Sequence, residues 1–110
     1  MMDKINKYLY DIQHAVSLIE SFTENTDSYD SYVKDLKTQS AVERQLIIIG
    51  EAVNNLKKES NDFSLSNIQK IIDFRNRIVH SYDSIDPSIV WVILKKHIPL
   101  LKEELYSLNG

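Results

Sequence analysis

The chain has 110 residues, a net charge of −3 and a pI of about 5.5, so it lacks the broad basic surface of a non-specific nucleic-acid binder. Its length predicts one domain over residues 1–110, and its two glycines and two prolines argue against a turn-rich all-β fold. It has no cysteine, which excludes disulfides and thiolate metal sites.

The first predicted helix spans 3–22, where apolar residues recur at helical spacing along one face. The N-terminal ten residues are charged and contain no apolar signal core, and no uncharged apolar run reaches the ~18 residues of a membrane span. We therefore expect a cytoplasmic protein with no membrane contact. A polar linker over 23–31 follows, and 29–36 is predicted to form a short helix or one frayed turn.

The next helix is predicted to begin at a cap formed by Thr38 or Ser40 and to run to about residue 58. Its core stripe has the spacing of one helix face and consists of Val42, Leu46, Ile49, Val53 and Leu56. Ile47 and Ile48 point away from this stripe, and Gly50 lies near Ile47 on the helix surface. Extra apolar surface beside a glycine predicts a second packing neighbour, for which another copy of the chain is a candidate.

A polar break precedes a helix that Ser64 or Ser66 is predicted to cap and that runs to about residue 82. Pro87 suits the first position of the last helix, which reaches about residue 108, and Pro99 is predicted to kink it. The pattern predicts an all-α, up-and-down bundle of four main helices with one short extra helix.

The segment from Arg75 to Tyr82 is the strongest candidate for chemistry. On a helical wheel, Arg75 lies in the middle of an apolar stripe, while a separate stripe consists of Asp73, Asn76 and His80. Arg75 and His80 are about 140° apart, so either the helix distorts or the two act from different directions or subunits. The members of the apolar stripe are Ile68, Ile71, Ile72, Val79 and Tyr82.

A buried arginine predicts a carboxylate partner, because an unpaired buried charge costs several kcal/mol. Glu43 and Glu51 on the preceding helix are the candidates for a structural ion pair, and they are alternatively cleft residues. Such a pair does not exclude function, since a guanidinium has five N–H donors and can face a cleft with those that remain.

The residues of this helix supply the parts of a metal-independent RNA cleavage site. The His80 imidazole can transfer protons, Asn76 can orient a phosphate or a base, and Arg75 can stabilise oxyanion charge. The competing interpretations are that His80 is an ordinary solvated side chain and that Tyr82 packs in the core. Tyr82 can also expose its hydroxyl as a catalytic or modification site. His14 and His97 have no partners at metal-ligand spacing, so no metal site and no cofactor are predicted.

The pattern Arg75-x4-His80-x-Tyr82 resembles the R-x4-H-x-Y motif of the HepT-like toxins, a branch of the HEPN domain families. Asn76 directly after the arginine fits the same pattern. The resemblance covers nearly the whole chain and is reinforced by S-A-V-E-R at 40–44, I-G-E-A at 49–52, F-R-N at 74–76, I-D at 85–86 and V-W at 90–91.

This resemblance implies a helical bundle that forms a homodimer, with the two motif helices lining a shared cleft. It implies an endoribonuclease toxin acting on RNA, encoded beside a minimal nucleotidyltransferase antitoxin that silences it by transferring AMP from ATP to the motif tyrosine. Carried over to this chain, Arg75 and His80 are catalytic and Asn76 is supporting. Tyr82 is supporting and is the AMP acceptor.

Two other functions stay open at this point. HEPN-like bundles also serve as non-catalytic accessory or substrate-binding modules of nucleotidyltransferases, which would need the dimer surface but not His80. A purely structural dimeric bundle is the third possibility. The intact set of Arg75, His80 and Tyr82 favours the ribonuclease toxin.

Overall fold

The computed structural model describes residues 4–60, 65–80 and 85–109, and within these ranges the chain is helical, without a strand. A π-helical segment, Ile93–His97, separates the last two helices. The predicted all-α bundle is confirmed, and the segment after the linker forms a short helix rather than one frayed turn. The helices are α1 (Lys4–Phe22), α2 (Tyr29–Lys34), α3 (Leu36–Glu59), α4 (Gln69–His80), α5 (Pro87–Val92) and α6 (Ile98–Asn109).

Helix α3 is the centre of the bundle. Helices α1, α2 and α4 pack against it, while α6 packs against α1 and α5 against α2. The five residues of the predicted α3 stripe are all buried, as are Ile71 and Phe74 of α4. Burying an aliphatic side chain contributes roughly 1.5–3 kcal/mol, so this shared core fixes α4 against α3. No helix in the described ranges has the length and apolarity needed to cross a membrane.

Asp35 caps α3, so the predicted cap at Thr38 or Ser40 is wrong. The Asp35 carboxylate accepts a hydrogen bond from the Thr38 backbone N–H at 3.0 Å and another from its hydroxyl at 2.6 Å. These bonds hold the pKa of Asp35 below its usual range. An aspartate at this position satisfies a free N–H of the first turn, so the helix begins earlier than the apolar spacing alone suggests.

The turn before α4 is held by Glu104 of α6. One Glu104 oxygen accepts from the backbone N–H and hydroxyl of Ser66, at 2.8 and 3.0 Å. The other accepts from the backbone N–H and side-chain amide of Asn67, at 3.0 and 2.8 Å. Burial opposes the ionised form, but these four bonds hold the pKa of Glu104 below its usual range. Ser66 therefore binds α6 instead of capping α4, which corrects the prediction. Ser64 lies outside the described residues.

Pro87 occupies the first turn of α5, as predicted, and Asp86 caps that helix by accepting from the Ser88 backbone N–H at 2.9 Å. The predicted single last helix is instead α5, the π segment and α6. The irregularity lies in the turn before Pro99, where the Ile98 N–H donates to the Ile93 carbonyl, five residues back. Proline has no N–H and its ring crowds the preceding turn, which favours such a widened segment.

Candidate functional site

Gly50 lets α3 and α4 approach each other closely at the position of Arg75. A Cβ atom added to Gly50 would lie 2.9 Å from Arg75 Cβ and 3.1 Å from Arg75 Cγ. These distances are shorter than the ~3.5–4.0 Å at which carbon atoms pack favourably. The neighbour that Gly50 itself contacts is therefore α4 of the same chain.

Arg75 is half-buried in a groove between α3 and α4, which we call the Arg75 groove. Its Nη1 donates to Asn76 Oδ1 at 3.2 Å. Its Nε is buried and has no hydrogen-bond partner among the described residues. The remaining lining residues of the groove are polar or charged: Glu51, Asn54, Asn55 and Lys58.

The ion pair predicted for Arg75 does not form among the described residues, where neither Glu43 nor Glu51 lies within 4.0 Å of it. Glu51 shares the groove with Arg75 but is exposed, and a solvated carboxylate gains little from pairing at a surface. The guanidinium therefore remains available to an anionic ligand entering the groove.

His80 is the last residue of α4 and is exposed. Because α4 is α-helical through His80, the described residues give no sign of the distortion that would turn Arg75 and His80 to one side. Asn76, also exposed, lies one turn before His80. The structure thus brings Arg75 and Asn76 together and directs His80 elsewhere. Tyr82 belongs to 81–84, outside the described residues.

A second groove, which we call the Glu43 groove, has a volume of about 340 Å³ and runs beside α3. Burial raises the pKa of the Glu43 carboxyl, so its proton is held more tightly than in water. Half-buried Ile47 and Ile48 lie in the same groove, together with Ile78 and Ile85 from either side of the 81–84 segment. Arg44 and Glu51 line the groove as well, so it combines apolar surface with charged side chains of both signs.

Tyr32 of α2 is a residue that no sequence motif singles out. Its side chain is fully buried, and its hydroxyl has no hydrogen-bond partner among the described residues. Burial, followed by the negative charge of Glu43, raises the pKa of Tyr32 well above its usual range. No local pattern identifies this pair, because the two residues lie on different helices.

A third groove of about 210 Å³, which we call the α4–α5 groove, lies between these two helices. Lys70 and Arg77 of α4 line it together with Asp73 and Asp86. The pKa of Asp86 is lowered by the hydrogen bonds from Ser88 and, to a smaller extent, by the Arg77 charge. The apolar residues that line the groove are Phe74, Ile78, Ile85 and Ile89.

The other two histidines do not line any of these three grooves. His14 stacks on Tyr10 with ring centroids 5.8 Å apart. Burial and the charges of Lys96 and Lys70 lower the pKa of His97. In the part of the chain that the structure describes, no group of three or more His, Asp or Glu side chains is arranged to hold a metal ion.

Proteins similar in sequence to this chain align with most of its length. It is 36% identical over 106 residues to a protein of Thermococcus cleftensis named "Probable ribonuclease HepT", covering 93% of each chain. It is 35% identical over 96 residues to a protein of Methanocaldococcus jannaschii named "Putative RNase", covering 86% of this chain and 78% of that one. No solved structure matches.

The family profile described as ribonuclease HepT-like matches residues 12–108, which include α2 to α5 entirely and the whole R-x4-H-x-Y motif. The resemblance drawn from the motif is confirmed by this match and by the relatives named as ribonucleases. This chain belongs to the ribonuclease HepT-like family.

Proposed function

We propose that this protein is a metal-independent endoribonuclease, that it works as a homodimer, and that it is the toxin of a toxin–antitoxin pair. The observation that carries the proposal is the half-buried Arg75 guanidinium, which lines an open groove without an ion pair among the described residues. The exposed His80 lies on the same helix. Relatives named as ribonucleases support RNA as the substrate.

The proposed reaction uses the RNA's own 2′-hydroxyl as the nucleophile. The 2′-oxygen attacks the adjacent phosphorus, the bond from phosphorus to the 5′-oxygen breaks, and a cyclic phosphate and a 5′-hydroxyl result. His80 takes the proton from the 2′-hydroxyl or supplies one to the leaving oxygen. Arg75 stabilises the charge that builds up on the phosphoryl oxygens, and Asn76 positions the phosphate.

A homodimer would bring Arg75 of one protomer and His80 of the other into one site, although the two side chains point in different directions within a protomer. Arg75 lies against α3 and His80 is exposed about 140° further round α4. The Glu43 groove supplies apolar surface from Ile47 and Ile48 for contact between copies. Pairing two such surfaces about a two-fold axis would place the two copies of α4 along one cleft.

Replacing His80 by alanine should slow RNA cleavage by the purified protein about 10²–10⁴-fold, because the proton transfer loses its carrier. Cleavage by the wild type should persist in EDTA, and induction of the wild type alone should arrest growth. The His80→Ala chain should fold normally, since His80 is exposed. Equal cleavage by both proteins would refute the assignment of His80, and cleavage that stops in EDTA would refute metal independence.

We further propose that a partner nucleotidyltransferase antitoxin transfers AMP to the hydroxyl of Tyr82. The oxygen of Tyr82 attacks the α-phosphate of ATP and pyrophosphate leaves. The negative charge added with the AMP would compete with the RNA phosphate for the positive charge of the site. Incubation with such an enzyme and ATP should add one AMP to the intact mass of the wild type and none to Tyr82→Phe. An unchanged wild-type mass, or equal labelling of Tyr82→Phe, would exclude this site.

The competing function is a non-catalytic module that binds a nucleotidyltransferase. It predicts a chain that is harmless when expressed alone and that leaves RNA intact, with or without His80. The growth and cleavage measurements on wild type and His80→Ala separate the two functions.

A further inference from the structure

We propose that the α4–α5 groove binds one nucleotide of a single-stranded RNA, beside the phosphodiester that is cleaved. This inference rests on the proposed ribonuclease function and adds a substrate-binding site to it. Three features of the groove support the proposal: two cations that have no carboxylate within ion-pair distance among the described residues, an open apolar wall, and the position of the groove along α4 relative to His80.

Lys70 and Arg77 are the two cations of the groove. Both side chains are exposed, and among the described residues neither has a carboxylate within 4.0 Å. They are seven residues apart, which corresponds to two turns and about 10 Å along the axis of α4. Two cations at this spacing along one helix can contact successive parts of an RNA backbone.

The groove leads along α4 toward His80. Residues 70, 73, 77 and 80 follow one another at spacings of three and four, so they share one face of the helix. The first three line the groove and His80 is the next residue on that face. A strand lying along Lys70 and Arg77 would therefore reach the proposed catalytic histidine.

The apolar part of the groove is open to a ligand, since Ile89 remains 38% exposed although it faces the buried side chains of Phe74 and Ile78. The volume of about 210 Å³ is below the ~300 Å³ typical of pockets that enclose a whole drug-sized ligand. It suits a single base, with the sugar and phosphates outside.

The carboxylates in the groove favour a nucleotide over a free phosphate. Asp73 Oδ1 accepts from the Gln69 side chain at 2.9 Å, and Asp86 Oδ1 accepts from the Ser88 hydroxyl at 2.7 Å. Both carboxylates repel an isolated anion. A nucleotide instead offers them amino groups of the base or a ribose 2′-hydroxyl, while its phosphates meet Lys70 and Arg77.

The test measures binding separately from cleavage, using His80→Ala as the parent protein. Fluorescence anisotropy with a short, labelled, single-stranded RNA of mixed sequence gives the affinity at several salt concentrations. Adding Lys70→Ala and Arg77→Ala should weaken binding roughly 10-fold and reduce the slope of log affinity against log salt by about 1.4, because two phosphate contacts are lost. Adding Ile89→Ala should weaken binding about fivefold without changing this slope, since the lost contact is apolar.

The matched control adds Lys7→Ala and Lys102→Ala to the same parent. These lysines are exposed, pair with Asp11 and Glu20 at 2.8 and 2.9 Å, and lie outside the groove. The control removes the same total charge and should bind RNA as the parent does. Circular dichroism checks that every variant is folded.

Unchanged affinity and slope in the Lys70→Ala and Arg77→Ala variant would overturn the groove as the binding site. Equal weakening of the control would show a general charge effect and would overturn it as well. If the Ile89→Ala variant binds RNA as tightly as its parent, no base is bound in the apolar part of the α4–α5 groove. If the wild type cleaves this RNA while the groove variants bind it normally, only the groove is rejected. If the wild type neither binds nor cleaves RNA at low salt, the proposed function is rejected with it.

Discussion

A heterodimer of one Arg75→Met subunit and one His80→Ala subunit should cleave RNA, although neither variant does so as a homodimer. Arg75 packs against Gly50 in the groove between α3 and α4, and His80 is exposed at the end of an unbroken α4. If each proposed site takes Arg75 from one protomer and His80 from its partner, this heterodimer retains one intact site of two. Its cleavage rate should then be about half that of the wild type.

Each homodimer should lose about 10²–10³-fold or more in cleavage rate, because either the positive charge or the proton carrier is missing from both sites. Arg75→Met should remain folded and should be no less stable than the wild type. Methionine keeps an aliphatic stem against Gly50, and the buried Nε that it removes has no hydrogen-bond partner among the described residues.

To obtain the heterodimer, the Arg75→Met and His80→Ala chains are co-expressed with different tags and purified by successive affinity steps. The RNA cleavage rate of the purified heterodimer is then measured. A second heterodimer, wild type with the Arg75→Met and His80→Ala double variant, is the matched comparison. Sites shared between subunits predict that the first heterodimer is active and the second inactive. Sites contained in one protomer predict the reverse, so an inactive first heterodimer beside an active second one would refute the shared site.

Replacing Gly50 by valine should destabilise the protein by about 2–3 kcal/mol. Any Cβ at this position would lie 2.9 Å from Arg75 Cβ, and Arg75 Cβ cannot move without moving α4. The helices must therefore separate, which weakens the packing of buried Ile71 and Phe74 of α4. The change should also lower RNA cleavage, since Arg75 is displaced with α4. Urea unfolding gives the stability, and a cleavage assay under folding conditions gives the activity.

Lys57→Val is the matched control for this experiment. Lys57 is an exposed residue of the same helix, so valine there changes helix propensity by only about 0.5 kcal/mol and creates no contact with α4. If Gly50→Val unfolds at the same urea concentration as Lys57→Val, the close approach of α3 and α4 is not what requires glycine at this position.

Much of the fold could be predicted from the sequence because helix periodicity is a local property. The apolar spacing identified α1 and the stripe of α3 that is buried in the structure, and proline chemistry identified the start of α5. The starts of α3 and α4 were predicted less accurately. Asp35 caps α3, and the turn before α4 is fixed by Glu104, more than thirty residues further along the chain.

The candidate site shows the same division. The residue order was enough to predict that Arg75, Asn76 and His80 share one helix, and that Arg75 and His80 point in different directions, since both follow from the apolar periodicity and from 3.6 residues per turn. The packing of the helices was needed to see that Arg75 lies on Gly50 without the expected carboxylate partner among the described residues, and that Lys70 and Arg77 border a groove. Those features depend on how α3, α4 and α5 lie against one another, which local spacing does not specify.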